Sequence, residues 1–371
     1  MAKATPPPDL KIPSSNHTIR VSVIDTTAHV NVPVNRFMGP PIHGHETLAA
    51  PCYGFLIEHD NPAAKTKYDT LLFDIGVRLD FMNGPKVVVD QLKAFGVKVE
   101  VQKDVVEILR ENGQDVAKVG GIIWSHWHWD HTGDPSTFPW STDLIVGPGF
   151  GEAFTPAYPT VEESPVDERA WEGRTLREIN FDIEGKGLKI GQYKAFDFYG
   201  DGSYYLLDTP GHAVGHMCGL ARTSARPPEF IFMGGDIAHH GGEFRPTKFV
   251  PLPENIVPNP LVAPFSRQTS ACPGHLFENL HPQKSSTEPF YKPTLEGVHK
   301  DGQEAKESID KMGEFDAHDN IFVNIAHDSS LYDMVEFYPK VANGWSQKRW
   351  KEEGRWRFLR DFDTGASEAH T

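Results

Sequence analysis

Short apolar runs separated by Gly-, Asp- and Pro-rich turns recur along most of the chain, and this pattern predicts many short β-strands. The runs that best fit buried strands are residues 19–24, 53–58, 70–73, 121–124, 144–146, 193–198, 203–207, 217–221, 230–233 and 321–325. Helical spacing predicts helices over residues 86–95 and 104–112, and a terminal helix with interleaved Trp and Arg over residues 345–362. Because strands and helices are mixed without a regular βαβα alternation, we expect an α+β fold rather than a doubly wound parallel sheet.

Three segments interrupt this pattern and are rich in proline or in loop residues. Residues 1–18 are predicted to form an extended N-terminal arm, and residues 19–371 are predicted to form a single domain. Within that domain, loop-rich insertions are expected near residues 151–190 and 244–293. Because a long loop in a compact protein usually has a function, the second, Pro-rich insertion is a candidate lid or substrate-binding arm.

The charge balance, 36 Lys and Arg against 51 Asp and Glu, gives the 371-residue chain a formal net charge of -15 and disfavours nucleic acid as a partner. No apolar run approaches the roughly 18 residues of a membrane span, and the N-terminus lacks the apolar stretch of a secretory signal. The three cysteines form no Cys-x-x-Cys pair. A reducing compartment, the cytoplasm, is therefore the expected location.

The candidate chemistry begins directly after the predicted strand at 121–124, with His126, His128, Asp130 and His131. Alternate side chains of an extended segment share a face, so His126 and His128 can bind one metal ion together. The turn that follows presents Asp130 and His131 from another direction, where a second ion can lie. Imidazole and carboxylate ligands without thiolates suit Zn²⁺, Fe²⁺ or Mn²⁺.

Three further polar clusters follow predicted buried strands, where a rigid scaffold commonly places functional groups. They supply His212 from Thr-Pro-Gly-His-x-x-Gly-His, Asp236 from Gly-Gly-Asp and His327 from Ala-His-Asp. With the four residues at 126–131 they make seven ligands, five His and two Asp, which is the set that two metal ions sharing one carboxylate need. His216 is expected to support a ligand by a hydrogen bond rather than to bind metal itself.

The order of these motifs resembles the metallo-β-lactamase superfamily from about Tyr53 to His327, and the turn at Asp74 matches the family's early Asp-x-Gly element. The resemblance implies a four-layer αβ/βα sandwich, in which two mixed β-sheets face each other, helices lie outside and a dinuclear site lies at one edge. It implies that Asp236 bridges two metal ions, the first held by His126, His128 and His212 and the second by Asp130, His131 and His327.

Within the superfamily, the chain most resembles the dinuclear lactonase branch and fungal hydrolases that open lactams and lactones, including those that detoxify plant benzoxazolinones. The resemblance implies that hydroxide bound between two divalent ions opens a cyclic ester or amide. Zn²⁺ is the expected metal, with Mn²⁺ or Fe²⁺ as alternatives. Asp130 is the candidate residue for moving the proton from the attacking water to the leaving group.

One position departs from the family pattern. Bacterial lactonases of this branch carry a tyrosine three residues after the bridging aspartate, where this chain has His239. His239 could polarise the substrate carbonyl in place of the tyrosine, or it could be an ordinary loop histidine.

Aromatic residues surround the first ligand motif. Phe138 and Trp140 lie beyond the turn and are candidates for a wall of the substrate site, which would favour a flat, apolar molecule. Trp127 and Trp129 alternate with the ligands, so we expect them to face away from the metals into the core.

Two alternatives to a lactone- or lactam-opening hydrolase stay open. A glyoxalase-II-like thioesterase would share the ligands but should carry a basic element for the glutathione carboxylates, which the sequence does not identify. A non-catalytic homologue would keep the fold without the reaction. The expected partner is a small cyclic molecule, and His43 and His45 are expected to be exposed loop residues outside the site.

Overall fold

The computed structural model describes residues 3–61, 63, 65–262 and 270–368 and contains two large β-sheets. The strands, in chain order, are β1 (Arg20–Pro33), β2 (Met38–Gly39), β3 (Thr47–Glu58), β4 (Thr70–Phe73), β5 (Lys98–Glu100), β6 (Gly121–Ile123), β7 (Asp143–Val146), β8 (Leu176–Glu178), β9 (Lys189–Ile190), β10 (Tyr193–Asp197), β11 (Tyr204–Asp208), β12 (Met217–Ala225), β13 (Pro228–Met233), β14 (Asn255–Ile256), β15 (Cys272–Pro273), β16 (Lys292–Pro293) and β17 (Ile321–Asn324). The α-helices are α1 (Lys86–Ala94), α2 (Val105–Glu111), α3 (Trp129–Thr132), α4 (Phe150–Phe154), α5 (Gly274–Leu280), α6 (Gly302–Asp316), α7 (Trp350–Gly354) and α8 (Asp363–Glu368).

The strand order places the ends of several parallel strands side by side. The first sheet has the order β5-β1-β3-β4-β6-β7-β8, and β4, β6, β7 and β8 run parallel. The second has the order β17-β13-β12-β11-β10-β9, and only its β13–β17 pair is parallel. Since parallel strands end at the same edge of a sheet, the loops after β4 and β6 are neighbours, as are those after β13 and β17.

Apolar side chains fill the space between the sheets and cover their outer faces. Phe55 and Phe73 of the first sheet share a buried cluster with Leu206 and Met217 of the second. Helix α2 covers the outer face of the first sheet and α6 covers that of the second. Each fully buried Leu, Phe or Met side chain contributes about 1.5–3 kcal/mol, so these layers hold the two sheets together. The predicted α+β class and four-layer sandwich are confirmed.

The first two long strands extend well past their predicted lengths. The second half of β1 alternates Ala28, Val30 and Val32 with polar residues, and it pairs with the first half of β3 after a register shift between Asp25 and His29. This alternation is the pattern of a strand with one covered face, although its interspersed polar residues hide it from a search for continuous apolar runs.

The Pro-rich segment 244–293 provides the cover for that face. It contains α5, β14 and β15, and its Phe277 and Tyr291 side chains share a buried cluster with Val30 and Leu48 of the extended strands. Residues 263–269 of the segment lie outside the described part of the chain. The other predicted insertion, near 151–190, includes α4 and β8.

The predicted continuous helix over residues 345–362 is wrong. Helix α7 forms only between Trp350 and Gly354, and Arg349, directly before it, has the left-handed backbone angle φ 59°. The aromatic side chains explain the break, because Trp345 and Trp350 are buried between the sheets whereas Phe358 and Phe362 pack against the 244–293 segment. One straight helix cannot bury aromatic residues in two separate clusters.

Helix α6 was missed, although the sequence carries its signals. The Asp301 side chain caps the helix by accepting a hydrogen bond from the Glu304 N–H, and Ala305, Ile309 and Met312 are buried at helical spacing. Within the described residues, the helices are too short or too polar to cross a bilayer.

The N-terminal arm lies along the second sheet. From residue 3 to residue 19 it has neither helix nor strand, and Leu10 is buried in the cluster under α6. The Gly191 N–H donates to the Leu10 carbonyl, at 2.7 Å.

A buried ion cluster ties the end of α6 to two distant segments. Asp316 accepts hydrogen bonds from Arg245 Nε and Nη2, at 2.8 and 2.6 Å, and Lys351 Nζ lies 3.7 Å from Asp316 Oδ1. Burial raises the pKa of Asp316, but the charges of Arg245 and Lys351 outweigh burial and leave it below its ordinary value.

We expect Asp316→Asn to lower the free energy of unfolding by about 3–5 kcal/mol, because it leaves two buried cations without their anion. Denaturant unfolding followed by circular dichroism measures this change. Asp310→Asn is the matched control, since Asp310 lies on the exposed side of the same helix beside Lys306. It should leave stability almost unchanged, and equal unfolding midpoints for the two variants would contradict the expectation.

Candidate metal centre

Four loops at one edge of the sandwich bring the seven predicted ligands together. They follow β6, β11, β13 and β17 and carry, in that order, residues 126–131, His212, Asp236 and His327. Helix α3 begins within the first loop, so His126 and His128 precede it while Asp130 and His131 lie in its first turn. The strand ends thus fix the starting points of ligands that are far apart in sequence.

A glycine directly before the central aspartate is required by the packing. Gly235 has φ +52°, and a Cβ atom there would lie 2.7 Å from the Cβ and Oγ atoms of Ser125. Any other residue would therefore combine backbone strain with a collision. Gly235 lets the loop after β13 approach the loop after β6 closely enough for their side chains to share a site.

The first group of ligands consists of His126, His128, His212 and one oxygen of Asp236. His212 Nε2 lies 2.9 Å from His128 Nδ1 and 3.5 Å from Asp236 Oδ2. His126 Nε2 lies 3.8 Å from the same oxygen. Four donor atoms at these separations can surround a single cation.

The second group uses the other oxygen of the same carboxylate. His131 Nε2 and His327 Nε2 each lie 3.1 Å from Asp236 Oδ1, and His327 Nε2 lies 3.5 Å from Asp130 Oδ2. Asp236 therefore faces one group with each of its oxygens. This is the arrangement implied by the predicted bridging role.

Hydrogen bonds at the far nitrogens set which imidazole lone pair points inward. The Ser125 hydroxyl donates to Asp74 at 2.7 Å, so it accepts from His126 Nδ1 at 3.0 Å. His131 Nδ1 donates to Asp74 Oδ2 at 2.9 Å, and His327 Nδ1 donates to the Pro51 carbonyl at 2.8 Å. With the proton on Nδ1, each of these rings in its neutral form presents an unprotonated Nε2 to the site.

The inward-facing atoms match what divalent cations require. Buried His126 Nε2, His131 Nε2 and Asp236 Oδ1 have no hydrogen-bond partner within the described structure. Lone pairs that face one another in this way are unfavourable without a positive charge between them. The donor set is nitrogen and oxygen, suited to Zn²⁺ and similar ions, and it fits two of them.

The two groups differ in their proton affinity. Burial lowers the pKa of His131 and of His327, but neighbouring groups, chiefly the carboxylate of Asp236, together outweigh burial and raise both pKa values well above 6.5. Burial has the larger effect on His126 and His212 and holds their pKa values well below 6.5. At neutral pH a cation must therefore displace protons from the second group, but not from the first.

His239 lies between the two groups rather than on the surface. Its Nε2 is 3.3 Å from Asp236 Oδ2, its ring packs 4.6 Å from that of Phe37, and both of its nitrogens are buried without a hydrogen-bond partner. Burial lowers the pKa of His239, but Asp236 and Glu243 outweigh burial and raise it to about 9. This position suits a group that donates a hydrogen bond into the site.

His216 lies behind Asp236. Its Nδ1 donates to the Thr209 carbonyl at 3.1 Å, and its Nε2 accepts from the Asp236 N–H at 3.1 Å. The ring thus orients the backbone of the central aspartate without facing the ligand groups itself.

A cavity of about 430 Å³ opens onto the ligands. Asp130, Asp236, His239 and His327 are among the residues that line it. Its walls are largely apolar and come from β1, β3, α1 and nearby loops, including Val32, Phe37, Leu48, Ala50, Val87, Val88, Leu92, Phe95, Val97 and Val298. A flat or elongated apolar molecule can therefore reach the ligand groups.

The predicted substrate-wall residues do not reach this cavity. Phe138 is buried in the cluster on the outer face of the first sheet, and Trp140 is 67% exposed. Trp127 and Trp129, expected to face into the core, are partly buried, and each packs against a core cluster while also lining the cavity. The alternation of side-chain directions along an extended segment ends where α3 begins, at Trp129. It therefore cannot predict the directions of the aromatic side chains beyond that point.

Two residues beside the centre have no motif in the sequence. His299 is buried with its Nδ1 3.1 Å from His212 Nδ1. Cys52 Sγ lies within 4.8 Å of ligand atoms of Asp130 and His327, although the site was expected to lack sulfur. Burial raises the pKa of Cys52, which keeps it a neutral thiol. Both lie beside the ligands through long-range packing, so no local spacing could have identified them.

His45 is buried, contrary to the expectation of an exposed loop residue. Its Nδ1 lies 2.8 Å from the Tyr291 hydroxyl and its ring packs 4.8 Å from that of His240. Burial lowers its pKa to about 4. His43 is exposed, as expected.

Comparison with known proteins identifies similar hydrolases, although no family model matches the chain. The chain is 53% identical over 358 residues to gamma-lactamase FDB1 of Fusarium pseudograminearum, an alignment that covers 96% of this chain and 85% of that protein. It is 59% identical over 243 residues to gamma-lactamase MBL2 of Gibberella moniliformis, covering 65% of this chain and 100% of that protein.

A solved structure supports the fold at much lower sequence identity. An N-acyl homoserine lactone hydrolase, crystallised with the product N-hexanoyl-L-homoserine bound at its catalytic metal centre, aligns with a TM-score of 0.54 and 15% identity. The alignment covers 88% of this chain and 99% of that chain. At this identity the likeness extends to the fold alone.

We expect Asp236→Asn to reduce bound metal from about two ions per chain to below one, because it removes the negative charge that both groups share and replaces one of the two ligand oxygens with an NH2 group. Metal analysis after dialysis measures the content, and circular dichroism checks the fold. Asp134→Asn is a suitable control, because Asp134 follows the ligand segment 126–131 closely in sequence but pairs with Arg78. If the Asp236 variant keeps both ions, the bridging arrangement is incorrect.

Proposed function

Because this chain belongs to the metallo-β-lactamase superfamily and is a hydrolase of its lactamase and lactonase group, we propose that it opens a small cyclic ester or amide with a flat apolar portion, such as a benzoxazolinone. The superfamily and hydrolase predictions are confirmed by the γ-lactamase relatives. The observation that carries the substrate proposal is the largely apolar cavity, whose lining includes members of both ligand groups.

We propose Zn²⁺ at both positions, with Mn²⁺ or Fe²⁺ as alternatives, because the ligands are imidazoles and carboxylates. His126, His128 and His212 would hold the first ion, Asp130, His131 and His327 the second, and Asp236 both. When bound, two divalent cations lower the pKa of a coordinated water and polarise a substrate carbonyl.

Asp130 is proposed to transfer the proton. It is half-buried, and it lines the cavity while its Oδ2 lies 3.5 Å from His327 Nε2. A carboxylate there can accept a proton from the attacking water and return it to the leaving group. When a cyclic substrate opens, the leaving oxygen or nitrogen stays joined to the acyl carbon through the rest of the former ring. It therefore remains within reach of Asp130.

His239 is proposed to donate a hydrogen bond to the substrate carbonyl oxygen. It lines the cavity, and its Nε2 has no hydrogen-bond partner within the described structure. A preorganised donor of this kind stabilises charge that develops on the oxygen during attack. The proposed role corresponds to the interpretation in which His239 polarises the substrate carbonyl, rather than to that of an ordinary loop histidine.

The apolar walls are proposed to select the substrate. Among the described residues that line the cavity, Arg36 is the one Lys or Arg side chain, and its guanidinium lies 3.6 Å over the Phe95 ring. A glutathione thioester, with its two carboxylates, would meet little positive charge there, so the thioesterase alternative is disfavoured. The absence of a nucleic-acid partner and the cytoplasmic location stay predictions.

A hydrolysis panel with metal-loaded protein tests the proposal: γ-lactones, acyl-homoserine lactones, benzoxazolinones, β-lactams and glutathione thioesters. We expect turnover of a cyclic ester or amide that is lost on chelation and restored by Zn²⁺ or Mn²⁺. On that substrate, Asp130→Asn at saturating metal should lower kcat by about 10²–10⁴-fold.

Asp134→Asn should keep normal kcat and serves as the control. Chelator-insensitive turnover, or preference for the glutathione thioester, would overturn the proposal. Near-normal turnover of the fully metal-loaded Asp130 variant would remove Asp130 from the proton transfer.

The cavity wall can be tested separately with Val87→Trp. Val87 is half-exposed in α1 and lines the cavity, so an indole there should narrow the substrate site without disturbing the core. We expect KM for the apolar substrate to rise about tenfold with kcat nearly kept, in line with the loss of one or two apolar contacts. Lys93→Trp, on an exposed part of the same helix, should leave KM unchanged. An unaltered KM for both variants would show that the substrate lies elsewhere.

A further inference from the structure

His299 connects a metal ligand to the wall of the cavity. It lies in the segment between β16 and α6, and it is buried. Its Nδ1 is 3.1 Å from His212 Nδ1, and its Nε2 is 2.9 Å from the Phe37 carbonyl oxygen. The Phe37 ring in turn packs 4.6 Å from the ring of His239.

The segment around His299 is held on both sides by main-chain hydrogen bonds. The Lys300 N–H donates to the His212 carbonyl and the Asp301 N–H to the Gly211 carbonyl, both at 2.9 Å. On the other side, the Thr294 N–H donates to the Phe37 carbonyl, also at 2.9 Å. The backbone therefore holds the imidazole of His299 in a defined place between the two loops.

The chemistry of the partners assigns the protons along this chain of contacts. A carbonyl oxygen can only accept, so the hydrogen between His299 and Phe37 is on His299 Nε2. In a neutral ring, His299 Nδ1 is then an acceptor, and the hydrogen between the two histidines is on His212 Nδ1. His212 Nε2 is left unprotonated, and this is the atom that faces His128 and Asp236.

We propose that His299 is a positioning residue that fixes the tautomer and the ring orientation of His212 for metal binding at the first ligand group. The other ligands with an assigned far-side partner use a hydroxyl, a carboxylate or a carbonyl, whereas His212 uses a second histidine. Loss of a residue that hydrogen-bonds a metal ligand in this way commonly weakens metal affinity by about 10–100-fold. The proposal rests on the metal centre of the proposed function but not on the identity of the substrate.

Three variants separate positioning from simple structural support. His299→Phe keeps a ring but removes both nitrogens. His299→Asn places an amide oxygen near the position of Nδ1 and can still accept from His212 Nδ1. His299→Gln reaches the position of Nε2, so it can donate to the Phe37 carbonyl but offers His212 no acceptor.

A competition titration with Zn²⁺ and a chromophoric chelator measures the affinity of each metal equivalent. With His299→Phe we expect one of the two equivalents to bind about 10–100-fold more weakly and the other to be unchanged. Compared with His299→Phe, the His299→Asn variant should regain most of the lost Zn²⁺ affinity, whereas His299→Gln should regain little. His281→Phe is the control, because His281 is also buried and donates to backbone carbonyls, at 2.8 and 3.0 Å, in the Pro-rich segment. It should alter thermal stability without altering either equivalent.

Wild-type affinity for both equivalents in the Phe variant would overturn the proposal. Equal weakening of both equivalents, or equal rescue by Asn and Gln, would also overturn it, because a merely structural role predicts those results. If the wild-type chain binds no Zn²⁺, the proposed metal centre is wrong, and the proposal for His299 is overturned with it. If the wild-type chain binds two ions but hydrolyses nothing in the panel, the proposed substrate is wrong. The role of His299 in metal binding is then unaffected.

Discussion

The carboxylate of Asp236 is the group on which the rest of the site depends. Its Oδ1 lies 3.1 Å from two imidazole nitrogens and its Oδ2 lies 3.5 Å from a third, in a buried setting. Such a cluster of acceptors is unfavourable unless protons or cations lie between them. The four loops can therefore converge there only because positive charge offsets their repulsion, and Gly235 removes the steric obstacle to their approach.

Precision at the centre comes from residues that do not face it. Asp74 accepts hydrogen bonds from both Ser125 and His131, so it orients ligands of both groups at once. The Pro51 carbonyl orients His327 from the middle of β3. Imidazoles held in this way lose little conformational entropy on binding a cation, and their lone pairs need not reorient. The ligand geometry is consequently a property of the sandwich as a whole.

The substrate side of the site has a different origin. The extended halves of β1 and β3 supply part of the cavity wall, and the same apolar face, which includes Val30 and Leu48, also packs against the 244–293 segment. The scaffold that holds the metal ligands and the addition that shapes the cavity are thus separate parts of the chain. They meet at Phe37, whose carbonyl and ring link the His299 and His239 side chains.

The sequence by itself determined the fold class, the strands near the site and the seven candidate ligands, because each ligand lies in a short motif directly after an apolar run. Tertiary structure alone decided which side chains surround them. His299 and His212 are 87 residues apart, and the walls of the cavity come from strands whose alternating pattern is weak. Phe138 and Trp140 lie near the ligand motif in sequence, but Phe138 is buried on the outer face of the first sheet and Trp140 is exposed. Local spacing specifies a direction only within one regular element, whereas a cavity is formed by elements whose relative placement depends on the packing of the whole core.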